Sequence, residues 1–176
     1  DPSTLVGAAR DVARLCFRLS ASSRQQASDT MAAWPWLGQC ADDPMQAPPA
    51  LSTRLRMELE LLLDREPWAL ALSAVQDWGG FRLLDDNLHH DLSWRLRLSR
   101  ANRFGVPLLP ALIATATDPV ALAERLQLPH RHRQFLLQFQ TLANILSRHG
   151  ASMGSVSAWC GLLEAPGISA EAVALA

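Results

Sequence analysis

The spacing of the apolar residues is the feature that most limits how this chain can fold. Apolar side chains recur at intervals of three and four through nearly the whole sequence, and no stretch alternates strictly between apolar and polar residues. An interval of three to four is about one helical turn, so one side of each segment is apolar and suited to burial. The sequence therefore predicts an all-α array of helices without a sheet.

Capping residues, prolines and glycines mark the expected ends of these helices. Ser3, just after Pro2, is an N-cap candidate for the first helix. Asp118 followed by Pro119 predicts a later helix start, and Gly105 predicts a helix end. The residues predicted to be buried in the first helix are Leu5, Ala8, Ala9, Val12, Ala13, Cys16 and Phe17.

Two longer stretches receive specific predictions. The segment from Phe81 to Arg103 is predicted to continue one helical pattern, with an apolar side formed by Leu84, Leu88, Leu92 and Leu96. Residues 34–50, WPWLGQCADDPMQAPPA, hold four prolines and two tryptophans in 17 positions. Because proline inside a helix removes a backbone hydrogen bond, we predict an inserted loop there.

Composition narrows the function classes. With 49% hydrophobic and 19% charged residues, the chain is typical of a globular protein, and no apolar run reaches the roughly 18 residues of a membrane span. The three cysteines, Cys16, Cys40 and Cys160, lack C-x-x-C spacing, which predicts a reducing, cytoplasmic setting. The start at Asp1 without a signal-peptide pattern, and an end in a very short helix, favour a piece of a larger protein.

The positive charge of the chain is carried by arginine alone. All 16 basic residues are arginine, and the formal net charge is −1. Genomic base composition is one explanation; the other is that the guanidinium fork suits bidentate phosphate contacts. A net charge near zero argues against a uniformly basic nucleic-acid binder, so an RNA surface has to be a local patch.

The strongest basic cluster lies between Trp94 and Phe104. Within it, Arg97, Arg100 and Arg103 are spaced by three, which predicts one arginine stripe along a helix. Such a stripe could follow an RNA backbone, and an ordinary solvated face opposite the core explains the pattern equally well.

A second candidate lies at the predicted start of the longest helix, in the sequence HRHR from His130 to Arg133. Free amides at a helix N-terminus favour anions, so Arg131 and Arg133 are candidates for phosphate binding. Residues two apart do not share a helix face, which argues against a metal site at His130 and His132. A solvated helix start remains the alternative.

Residues 85–91, DDNLHHD, form the densest cluster of titratable side chains. The adjacent His90 and Asp91 resemble the metal-binding dipeptide of HD phosphohydrolases, but no clear upstream histidine is present to complete such a site, since the other histidines lie downstream. A polar helix surface is the competing interpretation. No P-loop, G-x-S-x-G, Cys–His or paired-carboxylate strand motif is present, so no catalytic residue and no metal ligand is predicted in this chain.

The segments DPSTLVGAARDVARLCF, LSTRLRMELELLL, PWALALSAVQDWGG and DPVALAERLQLPHRHRQ follow one another along the chain, and in this order they resemble segments of class II tRNA nucleotidyltransferases (CCA-adding enzymes) and bacterial poly(A) polymerases. The opening DPSTLVGAARDVARLCF is similar to the first neck helix of that family, LSTRLRMELELLL to the segment S-x-x-R-I-x-x-E-L-x-x-L-L, and PWALALSAVQDWGG to the start of the body. DPVALAERLQLPHRHRQ is similar to cyanobacterial members. The resemblance implies a neck over 1–64 with the inserted loop at 34–50, a helical body over 65–150 and a partial tail over 151–176.

The same resemblance implies a template-independent transferase in tRNA processing, whose catalytic head would precede this chain. That head would use Mg²⁺ with ATP and CTP, and the present chain would hold tRNA or another RNA 3′ end. In the family, an Asp and an Arg of the neck read the incoming base; the corresponding positions here are Asp1 and Thr4, with Arg10 further along the same helix.

The match departs from the family at two positions. Thr4 and Gly7 stand where the family has arginines, and a hydroxyl cannot supply the paired donors of a guanidinium. The expected function is therefore RNA binding without catalysis by this chain alone. An HD-like phosphohydrolase and a divergent, inactive interaction module remain the alternatives.

Overall fold

A computed structural model describes residues 3–33, 49–149, 155–165 and 167–176. Within these ranges the chain is all-α, as predicted, and contains eleven α-helices, one 3₁₀ turn and no strand. The helices are α1 (Ser3–Leu15), α2 (Ala21–Ala32), α3 (Pro49–Arg65), α4 (Trp68–Asp77), α5 (Asp86–His90), α6 (Trp94–Phe104), α7 (Leu108–Ile113), α8 (Pro119–Arg125), α9 (His130–His149), α10 (Val156–Leu163) and α11 (Ala170–Leu175), and the 3₁₀ turn is Gly80–Leu83.

Contacts within the chain divide it into two units, each made of two stretches of sequence. The first unit comprises Asp1–Leu92 and Thr115–Gln127, and the second comprises Ser93–Ala114 and Leu128–Ala176. The division into neck, body and tail follows family segments instead and stays a prediction. Most of the proposed inserted loop, residues 34–48, lies outside the described residues, while Pro49 already begins α3.

In the first unit, α1 packs against α3 and α4, and α3 also contacts α4. Side chains from all three helices are buried at these contacts: Val6, Ala9, Leu59, Leu62, Leu72 and Val75. Gly80 is also buried, and a Cβ built there would lie 2.8 Å from both a Leu5 and a Val75 side-chain atom. Only glycine fits this close approach, which fixes where the 3₁₀ turn meets the helices.

In the second unit, α6 packs against α7 and α11, and α9 also contacts α7 and α11. Leu112 and Ile113 of α7 and Leu136 and Leu142 of α9 are fully buried. Gly105 ends α6 with φ 70°, confirming the predicted stop, because the left-handed conformation suits glycine.

The predicted start at Asp118 is also confirmed. Its carboxylate accepts hydrogen bonds from the amides of Val120 (3.1 Å) and Ala121 (2.9 Å), and Pro119 is the first helical residue. The two acceptor contacts satisfy amides that have no partner inside the helix.

The predicted buried side of α1 is wrong at three of its seven positions. Ala8, Cys16 and Phe17 are exposed. Cys16 has φ 55°, so the helix ends at Leu15 and the periodic pattern no longer governs which way the next side chains point.

The predicted continuity from Phe81 to Arg103 is wrong as well. The segment contains the 3₁₀ turn, α5 and α6, because Asp85 caps a new helix by accepting from the Asn87 amide at 2.9 Å. Each restart changes the phase of the apolar pattern. As a result Leu92 and Leu96 are 89% and 60% exposed, although Leu84 and Leu88 are buried as predicted.

Candidate nucleic-acid interface

Helix α6 separates an apolar side from a basic one. Trp94, Leu98 and Ala101 are buried on the side that packs into the second unit. Arg100 and Arg103 are exposed on the opposite side. The amphipathic spacing of the helix thus places two of the three predicted stripe residues in solvent.

Arg97 does not belong to that exposed stripe, and the prediction of a continuous one is wrong at this residue. It lies three residues from Trp94 and four from Ala101, so it shares their buried side and is only 7% exposed. Its Nε donates to the Ala111 carbonyl at 2.7 Å and its Nη2 to the Leu112 carbonyl at 3.1 Å. The guanidinium therefore satisfies carbonyls in the last turn of α7, where backbone acceptors lack helical partners.

The exposed side of α6 also carries apolar side chains. Leu96, Arg100 and Phe104 are spaced by four and lie next to one another along the helix, with Arg103 beside Phe104. The Arg103 guanidinium carbon is 5.6 Å from the centre of the Phe104 ring, and that ring is 57% exposed. We call these four residues the α6 outer face; it combines two cations with an aromatic ring open to solvent.

Arg95 is exposed on another flank of the same helix. Its guanidinium carbon lies 5.3 Å from the centre of the Trp94 ring. A cation over an indole is held in a narrower range of positions than a free arginine. Arg95 lies within the basic cluster between Trp94 and Phe104, but its spacing does not place it in the predicted stripe.

The start of α9 presents its four polar residues in different environments. His130 and Arg131 are exposed, whereas His132 and Arg133 are half-buried. Burial, and to a lesser degree the charge of Arg131, lowers the pKa of His132, so its ring is neutral near pH 7. Arg131 is thus the predicted phosphate contact of this turn that the fold leaves most accessible.

The two units differ sharply in charge. Ser93–Ala114 and Leu128–Ala176 together contain seven arginines and two glutamates, a formal net charge of +5. The first unit contains nine arginines and fifteen acidic residues, a formal net charge of −6. The net charge of −1 thus conceals one basic and one acidic unit.

A sequence signal for this separation was present and was missed. Neither residues 92–117 nor residues 125–163 contain any aspartate or glutamate. Counting arginines alone does not reveal such stretches, because the acidic residues elsewhere balance the total. The absence of acids, rather than the number of cations, distinguishes the second unit.

Of the three predicted nucleotide-reading residues, Thr4 and Arg10 lie on α1 in the first unit. Asp1 lies outside the described residues, and Thr4 is exposed. Arg10 Nη1 donates to Glu58 Oε2 at 2.8 Å, and its Nε lies 3.7 Å from Glu66 Oε1. With its guanidinium engaged by two carboxylates, Arg10 links α1 to Glu58 of α3 and to Glu66 just after α3, and it does not fit a role in holding a nucleotide.

The cluster at 85–91 is occupied by local structural contacts. The Asp85 carboxylate caps α5 and accepts from Thr117 Oγ1 at 3.3 Å, and Asp91 accepts from Thr115 Oγ1 at 2.8 Å. Over the parts of the chain that the structure describes, no three His, Cys, Asp or Glu side chains come together as a metal site would require. His90 is exposed, so the geometry gives the phosphohydrolase alternative no support.

Comparison with known protein families, curated proteins and solved structures finds no match to this chain. Among the described residues, no helix is both long enough and apolar enough to cross a membrane.

Proposed function

We propose that this chain binds RNA and that its second unit carries the binding surface. The observation behind the proposal is the separation of charge, with a formal net charge of +5 in the second unit and no acidic residue in 92–117. A polyanion is attracted by a basic surface that lacks carboxylates to repel it. Binding then depends on local charge and not on the net charge of the chain.

The exposed arginines of α6 are the proposed phosphate contacts. Arg100 and Arg103 lie one turn apart on the α6 outer face, and Arg131 supplies a further cation at the start of α9. A guanidinium offers paired donors that match two phosphate oxygens. Arg97 is left out of the set because its donors are used by the backbone of α7.

In its finer form, the proposal is that the chain is the RNA-holding helical part of a template-independent RNA nucleotidyltransferase. The support is the resemblance of the sequences of α1, α3 and α4 to consecutive neck and body segments of that family. Those three helices pack together in the first unit. The partners would be tRNA or another RNA 3′ end and a catalytic head that brings Mg²⁺, ATP and CTP.

Salt-dependent RNA binding tests the broader proposal. The anisotropy of fluorescently labelled tRNA, titrated with the 176-residue chain from about 50 to about 200 mM salt, should give an affinity that falls as salt rises. Arg100→Ala/Arg103→Ala should reduce the log–log slope by about 1.4, at about 0.7 for each lost phosphate contact. No measurable binding at the lowest salt would refute the proposal.

Charge removal elsewhere provides the matched control. Arg18 and Arg24 are exposed in the acidic first unit, and Arg18→Ala/Arg24→Ala changes the net charge by the same amount. We expect this control to keep the wild-type slope. An equal loss in both double variants would show attraction by total charge and would contradict a defined surface on α6.

Nucleotide incorporation tests the finer proposal. With tRNA, labelled ATP or CTP and Mg²⁺, this chain alone should add no nucleotide, because Arg10 is paired with carboxylates and Thr4 lacks a guanidinium. Incorporation by the purified chain would contradict the assignment of catalysis to a separate head. Strong RNA binding with no effect on any added head would favour a divergent interaction module.

A further inference from the structure

We propose that the α6 outer face takes an unpaired stretch of RNA, with a base stacked on the ring of Phe104. This inference rests on the proposed RNA binding and specifies the form of RNA. The ring is 57% exposed at the last residue of α6, although a phenyl ring is normally buried. The exposed ring therefore leaves an aromatic surface available to a ligand.

The charges around the ring decide which occupant fits. Arg103 lies 5.6 Å from the ring centre, and Arg100 is one turn away on the same side of the helix. No acidic residue occurs within ten positions on either side of Phe104. Helix α11, which packs on α6, carries Glu171 in its first turn, so the charge on the elements around α6 is mainly, not exclusively, positive. A nucleotide offers a phosphate for the arginines and a flat base for the ring, which inorganic phosphate does not combine.

The ring also distinguishes unpaired from paired RNA. Inside a duplex both faces of a base are covered by neighbouring bases, and contact with the backbone uses the cations alone. An unstacked base exposes a π-face that an aromatic side chain can cover, whatever the base identity. Phe104 therefore adds affinity for single strands, while Arg100 and Arg103 contribute to both forms.

Leu96, the first residue of the α6 outer face, is 60% exposed. It lies one turn before Arg100, on the side away from Phe104. Its apolar side chain can cover the edge of a second base or the sugar, so the face is long enough for more than one nucleotide along the helix.

Phe104→Leu is the decisive variant, because it keeps an apolar side chain and removes only the π-face. The probes are a short single-stranded RNA carrying one 2-aminopurine, the same strand annealed to its complement, and the same strand with an abasic residue at the probe position. Phe17 is 65% exposed in the first unit, so Phe17→Leu makes the same chemical change away from the basic unit.

We expect the wild-type chain to quench 2-aminopurine in the single strand and to bind it at least about fivefold more tightly than the duplex. Phe104→Leu should abolish the quenching and the preference while leaving duplex affinity unchanged, and Phe17→Leu should behave as wild type. The abasic strand should bind wild type and Phe104→Leu equally.

Separate outcomes overturn the two levels of the proposal. Equal affinity for single strand and duplex, or quenching that persists in Phe104→Leu, refutes stacking on Phe104 while RNA binding stands. No binding of either RNA form at about 50 mM salt refutes the RNA function itself. Binding to vesicles of anionic lipid in the absence of RNA binding would assign the α6 outer face to a membrane surface and overturn both.

Discussion

Replacing Arg97 separates its structural role from RNA binding. The side chain is 7% exposed and makes hydrogen bonds to Ala111 O at 2.7 Å, Leu112 O at 3.1 Å and Ser93 Oγ at 3.2 Å. Arg97→Met keeps much of the apolar stem and removes every donor. The carbonyls of α7 then lose a charged donor in a buried site.

The expected cost follows from those contacts. A hydrogen bond to a charged group contributes about 1.5 to 3 kcal/mol, and a buried carbonyl without a donor costs about 1 to 3 kcal/mol. Two carbonyls are affected, while the apolar methionine side chain offsets part of the loss, so we expect the free energy of unfolding to fall by about 2 to 4 kcal/mol. Arg97→Lys should lower the free energy of unfolding by about half as much, since one ammonium group cannot reproduce the paired donors of a guanidinium.

Urea denaturation, monitored by tryptophan fluorescence, measures this decrease in the free energy of unfolding, because Trp94 is buried on the same side of α6 as Arg97. Arg100→Met is the matched control on the exposed side and should change stability by no more than about 0.5 kcal/mol. In RNA titrations on folded protein, Arg97→Met should keep the wild-type slope of log affinity against log salt concentration. Arg100→Met should reduce that slope by about 0.7. A stable Arg97→Met variant with a reduced slope would refute the structural assignment.

Three further predictions concern two glycines and two half-buried histidines. Gly7→Ala should raise the free energy of unfolding by about 0.5 to 1 kcal/mol, because alanine favours a helix interior over glycine. The added methyl fits without a clash, since it would lie 3.8 Å from Glu58 Oε2. Gly80→Ala should lower it by roughly 1 to 3 kcal/mol, since the methyl would sit 2.8 Å from two side chains; thermal unfolding that ranks the two glycine variants in the opposite order would contradict this packing. Burial is the main cause that lowers the pKa of both His89 and His132 below 6.5, so the folded state favours their neutral forms, and the stability they contribute is present above pH 6.5 and lost as pH falls through the folded-state pKa values. The urea midpoint should therefore decrease between about pH 7.5 and about pH 5.5, and less so in His89→Gln/His132→Gln; an identical decrease in that double variant would exclude these histidines as the cause.

The helices could be predicted from sequence where local chemistry alone determines them. Asp118 begins α8 and Gly105 ends α6 through contacts within a few residues, and both predictions are confirmed. The all-α class follows from apolar spacing for the same reason. Cys16 shows the limit, because its left-handed conformation at the end of α1 carries no clear sequence signal.

The basic surface could be predicted only in part. Spacing by three correctly paired Arg100 with Arg103, but the spacing also included Arg97, whose position between Trp94 and Ala101 puts it on the buried side. Burial of an arginine depends on carbonyls that α7 supplies from 14 and 15 residues away. That information is tertiary and does not appear in the periodicity of α6.

The ion pair between Arg10 and Glu58 offers a structural explanation for two of the residues on which the family resemblance rests. These two residues belong to separate segments that both resemble the proposed family, and in this fold they form a 2.8 Å ion pair that joins α1 to α3. Packing of the two helices accounts for both residue choices without a nucleotide. The resemblance at these positions therefore bears on the helix arrangement, and the test of RNA binding rests on the second unit, where Arg100 and Arg103 are exposed.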